Sequence, residues 1–318
     1  MNKAVTKRVA MHGTGREYLR RLSADIRRDR WLYALLVPGV VYFLVFKYLP
    51  MWGVVMAFEN YVPFSGVFGS EWVGMKWFGY FFLSPAWTRY LANTLVLSLM
   101  NIVFYFPAPI ILALLLNEMQ SLRYKKVLQT LLYVPHFISI VIVVSITFVI
   151  FGSSGIIYRL TEKMLGQPIK YLSDPGVFRW MIIGQTVWKE TGWGTIIFLA
   201  ALTNVDVQLY EAAMVDGAGR LRRLWHITLP AIRSTIVLML ILRMGSIMSN
   251  GFEQIYTLQN TQNLAVSEVF ETYTYRVGLL GGRFSFATTV GLFASVISMI
   301  FLLTTNFISK KMGEETIF

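Results

Sequence analysis

Long apolar runs recur along the chain, at a length that suits a lipid bilayer better than a water-soluble core. Six of them, approximately Leu32–Phe58, Leu91–Leu116, Val127–Phe151, Phe178–Leu202, Ile232–Met248 and Thr288–Ile308, match the ~20 helical residues needed to cross a ~30 Å hydrocarbon layer. The fifth is the least regular, because Arg243 and Ser246 interrupt it. A backbone in lipid must satisfy its own hydrogen bonds, so these stretches predict an all-α, six-helix membrane bundle over residues 31–318. Residues 1–30 differ in kind. Tyr18, Leu22 and Ile26 fall four apart among Arg16, Arg20, Arg21, Arg27 and Arg28, which predicts a basic amphipathic helix lying on an anionic inner leaflet. A cleavable signal peptide fits poorly. The apolar run behind the leader continues past Lys47 and shows no small-residue cleavage pattern.

Composition sharpens this picture. Charged residues make up 14% of the chain and mean hydropathy is +0.55, whereas a soluble domain carries about 25% charged residues. The net charge of +12 reads as a topology signal. With the N-terminus inside, eighteen Lys and Arg residues fall on the cytoplasmic side and eight on the other, which places both termini in the cytoplasm and argues against nucleic acid as a partner. Cysteine is absent and the three histidines, His12, His136 and His226, are scattered, so no metal cluster is expected. No Gly-x-x-x-x-Gly-Lys-[Ser/Thr] run, Gly-x-Ser-x-Gly elbow or His-Glu-x-x-His occurs, which points away from an enzyme.

The most informative connection is 204–231, between the fourth and fifth spans. Glu211-Ala212-Ala213 favours helix, and Gly217 and Gly219, flanking Ala218 after Asp216, permit a sharp turn. A second short helix from about Leu221 would then end near Leu229-Pro230. The predicted object is a compact helix–turn–helix exposed to the cytoplasm.

This run resembles the EAA loop of binding-protein-dependent ABC importers: Glu-Ala-Ala, three residues, Gly, nine residues, then Ile-x-Leu-Pro. Glu211, Ala212, Ala213, Gly217, Ile227, Leu229 and Pro230 fill every position without a gap. The resemblance extends through Phe46-Lys47-Tyr48-Leu49-Pro50, Ala57-Phe58-Glu59-Asn60-Tyr61, Phe252-Glu253-Gln254 and Thr272–Leu279 to permeases for complex oligosaccharides and polysaccharides, a branch that includes alginate importers. A Tyr-Asn-Pro common in that branch is missing near Leu258-Gln259-Asn260. The resemblance implies a type I importer permease fold in the bacterial inner membrane. It implies a heterodimer with a second permease subunit, two ATPase subunits that hold ATP and Mg, and an extracellular or periplasmic solute-binding protein. No cofactor is implied for this chain itself. Its loop would engage the ATPases through Glu211, Ala212, Ala213, Asp216, Gly217, Ala218, Leu229 and Pro230. The long outer segments 59–90, 152–177 and 251–286 would dock the solute-binding protein.

Polar residues at membrane depth mark a candidate pathway. Lys189 and Glu190 fall near the middle of the fourth span and Arg243 near the middle of the fifth, and a charge there faces protein or water. Two cations suit an acidic saccharide such as a uronate chain. The alternative is a Glu190–Arg243 pair that only holds helices together. Trp188 and Trp193 flank the charged pair and could stack on a sugar face. Asn93, Asn101, Gln185, Thr186 and Asn250 could bind hydroxyls. Competing readings are an importer for another small solute and an ion-coupled carrier or channel using Lys189, Glu190 and Arg243.

Overall fold

The computed structural model describes residues 28–167, 169–314 and 316–317, so the amphipathic leader around Tyr18, Leu22 and Ile26 lies outside the described residues. Helix dominates, and the sheet is one antiparallel pair, β1 (Glu59–Asn60) and β2 (Glu71–Trp72), with Glu59 opposite Trp72. The chain divides into two compact units at Val55/Met56. The first carries α1 (Arg30–Phe43) and a π turn at Leu44–Tyr48, part of the 29-residue apolar stretch Arg30–Phe58. The second carries α2 (Lys76–Leu83), α3 (Ala86–Asn117), α4 (Leu122–Tyr133), α5 (Ile140–Phe151) and α6 (Ile156–Leu165). It continues with α7 (Pro175–Thr203), α8 (Val207–Val215), α9 (Arg220–Ala231), α10 (Arg233–Gly245), α11 (Phe252–Leu258), α12 (Phe270–Thr274) and α13 (Phe284–Lys311).

Four helical stretches are long and apolar enough to cross a membrane: Arg30–Phe58, Ala86–Asn117, Ile140–Leu165 and Phe284–Lys311. Two bent pairs, α7 with α8 at 72° and α9 with α10 at 58°, bring the number to six. The expected third span, Val127–Phe151, is corrected in detail. Pro135 supplies no N–H and its ring crowds the turn before it, so α4 stops and a 3-10 turn fills Val134–Phe137. Ser139 then caps α5 by accepting from the Val141 N–H.

Proline acts differently elsewhere. The π turns at Leu44–Tyr48, Asn101–Tyr105 and Leu224–Thr228 each end two residues before a proline: Pro50, Pro107 and Pro230. Widening the preceding turn gives the ring room and lets the helix continue. Pro230 itself stays inside α9, which ends one residue later at Ala231, near where the sequence placed its end. The bend falls two residues later, at the fully buried Ile232.

The break between α4 and α5 is held by the middle of α7. Lys189 donates its Nζ to the His136 carbonyl at 2.7 Å and to Glu190 Oε1 at 3.0 Å. Glu190 Oε2 lies 2.7 Å from His136 Nδ1, and the Trp193 ring stacks flat on the imidazole at 4.5 Å. Gly192 lets the backbones meet, since a Cβ there would stand 1.9 Å from the Leu132 carbonyl oxygen. Polar ties also join α3, α7 and the outer helices. Asn93 Nδ2 donates to the Ala265 and Glu268 carbonyls at 2.9 and 3.0 Å, and Arg179 donates to Asn93 Oδ1 at 2.8 Å. Gln254 donates to the Ile182 carbonyl and to Gln185 Oε1, while Gln185 donates to Thr147.

Gly192→Ala is expected to destabilise the fold by about 1–3 kcal/mol, the usual cost of overpacking, read as a lower thermal midpoint in detergent. Lys189→Met removes the partner of the His136 carbonyl and is expected to cost about 1–3 kcal/mol in the same assay. A midpoint equal to wild type for either variant would contradict this account of the α4–α5 break.

Candidate functional site

A cavity of about 520 Å³ opens among α3, α7, α10 and the start of α11, within the usual range for ligand sites. Lys189, Glu190, Arg243 and Asn250 all line it, together with Asn101 and Glu253. The three charged candidates, Lys189, Glu190 and Arg243, thus meet at one place with Asn101, Thr186 and Asn250. Trp188 does not. One residue on a helix turns through about 100°, and Trp188 faces a separate apolar groove of about 420 Å³ between α5 and α7. Trp193 is committed to the His136 ring.

The cavity's charges correct the expected pairing. Glu190 is bound to Lys189 and His136, and no Glu190–Arg243 pair forms. Lys189 is largely enclosed, with Nζ already spent on a carbonyl and a carboxylate. Among the described residues the Arg243 side chain makes no hydrogen bond or ion pair, although it faces the same cavity. With Glu253 also in the lining, the two cations face two carboxylates. The lining therefore has no formal excess of positive charge, and Arg243 is its cation without a protein counter-ion.

The amides offered as hydroxyl ligands are mostly occupied. Asn250 donates to the Thr94 carbonyl at 3.1 Å and accepts from Ser98 Oγ at 3.0 Å. Asn93, Gln185 and Thr186 serve helix contacts, whereas Asn101 keeps a buried Oδ1 without a partner. Sequence reasoning overlooked His136, which it treated as an isolated histidine. The signal was the adjacent Pro135 inside an apolar run, because a helix break in a membrane calls for side-chain partners.

The element at 204–231 is built as a rooted lever. Asp206 caps α8 by accepting from the Gln208 N–H at 2.9 Å, so the helix begins ahead of Glu211 and not at it. Gly217, at φ +73°, reverses the chain after α8, and the Ala218 N–H returns to the Ala213 carbonyl at 2.8 Å. Tyr210 donates to Thr228 at 3.1 Å, tying α8 to α9. At the root, Leu224 and Leu229 pack against the core of Leu114, Phe198, Leu202 and Ile232. At the tip, Glu211, Ala212, Asp216 and Gly217 are exposed, and so are Met214, Leu221, Trp225 and Val215, the last 88% accessible. Apolar side chains that leave the core at a turn mark a contact surface more than a packing error.

Residues 106–313 match the family described as binding-protein-dependent transport system inner membrane component. Protein LplB of Bacillus subtilis (strain 168) is 54% identical over 296 residues, covering 93% of each chain. The polygalacturonan/rhamnogalacturonan transport system permease protein YteP of the same organism is 49% identical over 304 residues, covering 95% of each. Among solved structures, a bacterial ABC transporter involved in importing the acidic polysaccharide alginate contains a chain 39% identical, with a TM-score of 0.83 over 92% of this chain and 99% of that one. A bacterial alginate ABC transporter in complex with an alginate pentasaccharide-bound periplasmic protein gives a TM-score of 0.84 at 38% identity, over 93% and 100%. The match spans well over half the chain and the relatives align along nearly all of it, so this chain is a membrane-spanning transport subunit belonging to the binding-protein-dependent transport system inner membrane component family.

Proposed function

We propose that this subunit forms half of the translocation path of an ATP-driven importer for acidic oligosaccharides or polysaccharides. The observation that carries the substrate class is the Arg243 guanidinium, which faces the cavity without a protein counter-ion. A carboxylate of a uronate residue is the ligand that such a group selects, by charge and by paired N–H geometry. Glu253 is placed to meet hydroxyl groups nearby. Relatives named for polygalacturonan and alginate transport support the same class. Family membership displaces the ion-coupled carrier.

The α8–α9 element is the docking surface for an ATPase subunit, with Glu211, Ala212, Ala213, Asp216, Gly217 and Ala218 near the tip and Leu229 and Pro230 at the root. ATP and Mg reside on two partner ATPases, and a second permease completes the cavity. With the element inside the cell, both termini lie there too, as the distribution of Lys and Arg requires. ATP binding closes the ATPases, the lever moves, and the bundle switches its opening from one side to the other as packed bodies. The outer segments 59–90, 152–177 and 251–286 receive the solute-binding protein.

The test uses the purified importer in vesicles with its solute-binding protein. Labelled tetragalacturonate should be taken up, and a neutral tetrasaccharide should not. Arg243→Gln should lower uptake of the acidic oligomer about tenfold, as loss of a charged hydrogen bond predicts, with basal ATP hydrolysis unchanged. Equal uptake of the neutral sugar, or an Arg243→Gln importer as active as wild type, would overturn the assignment.

A further inference from the structure

The segment after α13 turns back on the helix it has just left. Gly313 reverses the chain at φ +76°, and the Glu314 N–H returns to the Ser309 carbonyl at 3.1 Å. The Ile317 N–H then reaches the Oδ1 of buried Asn306 at 3.0 Å. This fold-back directs the Glu314 side chain inward, leaving it 12% exposed, with Oε1 2.7 Å from the Nε of Arg233. Arg233 is the first residue of α10 and follows Ile232, where α9 and α10 meet at 58°.

The same two helices also meet at the other end of α10. A Cβ on Gly245 would stand 2.6 Å from Leu302 Cδ1 of α13, so the pair is closely packed there. Helices α10 and α13 are thus joined at both ends of α10, by close packing at Gly245 and by an ion pair at Arg233. The two helices pack against each other extensively, and the ion pair adds a directional tie at the end of α10 nearest the bend.

We propose that Glu314 is a positioning residue for energy coupling. Through Arg233 it fixes the base of α10 on α13, so that motion of the α8–α9 lever moves both helices together instead of flexing the bend at Ile232. This inference rests on the reading of α8–α9 as the ATPase-docking element. Glu314 touches neither the cavity lining nor the exposed tip, so its effect would be on transmission and not on binding. Arg233 is half exposed, so the pair's function is geometric and its contribution to overall stability is small.

The chain contains no cysteine, which makes it suited to paired spin labels. Labels at His226→Cys on α9 and Phe307→Cys on α13, both exposed positions, report the distance across the junction in the whole importer. Wild type should give one narrow distribution that keeps its distance when ATP is added, because α9, α10 and α13 move as one body. Glu314→Gln should broaden it and lower tetragalacturonate taken up per ATP hydrolysed about fivefold, the low end of site-to-site coupling. Arg233→Gln, which breaks the pair from the other side, should do the same. The exchange Glu314→Arg with Arg233→Glu should restore both readouts. A Glu314→Gln importer unchanged in width and in uptake per ATP, or a wild-type distance that shifts with ATP, would overturn the proposal alone. Full uptake and full ATPase recovery in a Val215→Arg importer, with a charge placed at the exposed tip, would overturn the docking reading and the proposal with it.

Discussion

A helix interrupted at Pro135 leaves carbonyls without intrahelical partners, and at the junction of α4 and α5 the Lys189 ammonium donates to one of them, the His136 oxygen. Much of the inner architecture follows from it. Glu190 neutralises the lysine and holds the imidazole, Trp193 covers the ring, and Gly192 allows the approach that makes these distances possible. Because the clasp consumes Lys189 and Glu190, the charges left facing the cavity are those of Arg243 and Glu253. A group that looks like a binding residue by its depth is a fastening, and the binding function it seemed to share is proposed for Arg243 alone.

The other end of the bundle has the opposite economy. There, exposed apolar side chains at Val215, Met214, Leu221 and Trp225 surround a glycine turn, while Leu224, Leu229 and Ile232 anchor the element in a core. An object fixed at its root and sticky at its tip transmits force to what it is rooted in. The cavity lies on α7 and α10, and α7 leads directly into α8 while α10 follows directly from α9. Lever and cavity are therefore consecutive parts of one stretch of chain, so the proposed docking at α8–α9 would act directly on the helices that line the cavity.

The bundle was legible in the sequence because apolar length is a strong signal, and so was the lever, through the spacing from Glu211 to Pro230. Helix continuity was not. Pro135 breaks its helix, whereas Pro107 and Pro230 are accommodated by a π turn, and the choice depends on tertiary packing that local sequence does not encode. The partner of Glu190 was misread for a related reason. Arg243 seemed the natural counter-ion, yet the adjacent Lys189 and a histidine 54 positions away are the groups within reach. Trp188 shows the same gap: neighbours in sequence on a helix face different ways, and only the packing says which way is inward.

The central claim is that the α8–α9 tip is the seat of an ATPase subunit. It is tested most directly by placing Val215→Cys, in a chain otherwise free of cysteine, in native membranes and applying a short bifunctional cross-linker. The account predicts one dominant product, identified by mass spectrometry as this chain joined to an ATPase, with the yield changing when ATP is added. A product joined to another membrane subunit, or no product while the ATPase still co-purifies, would contradict it.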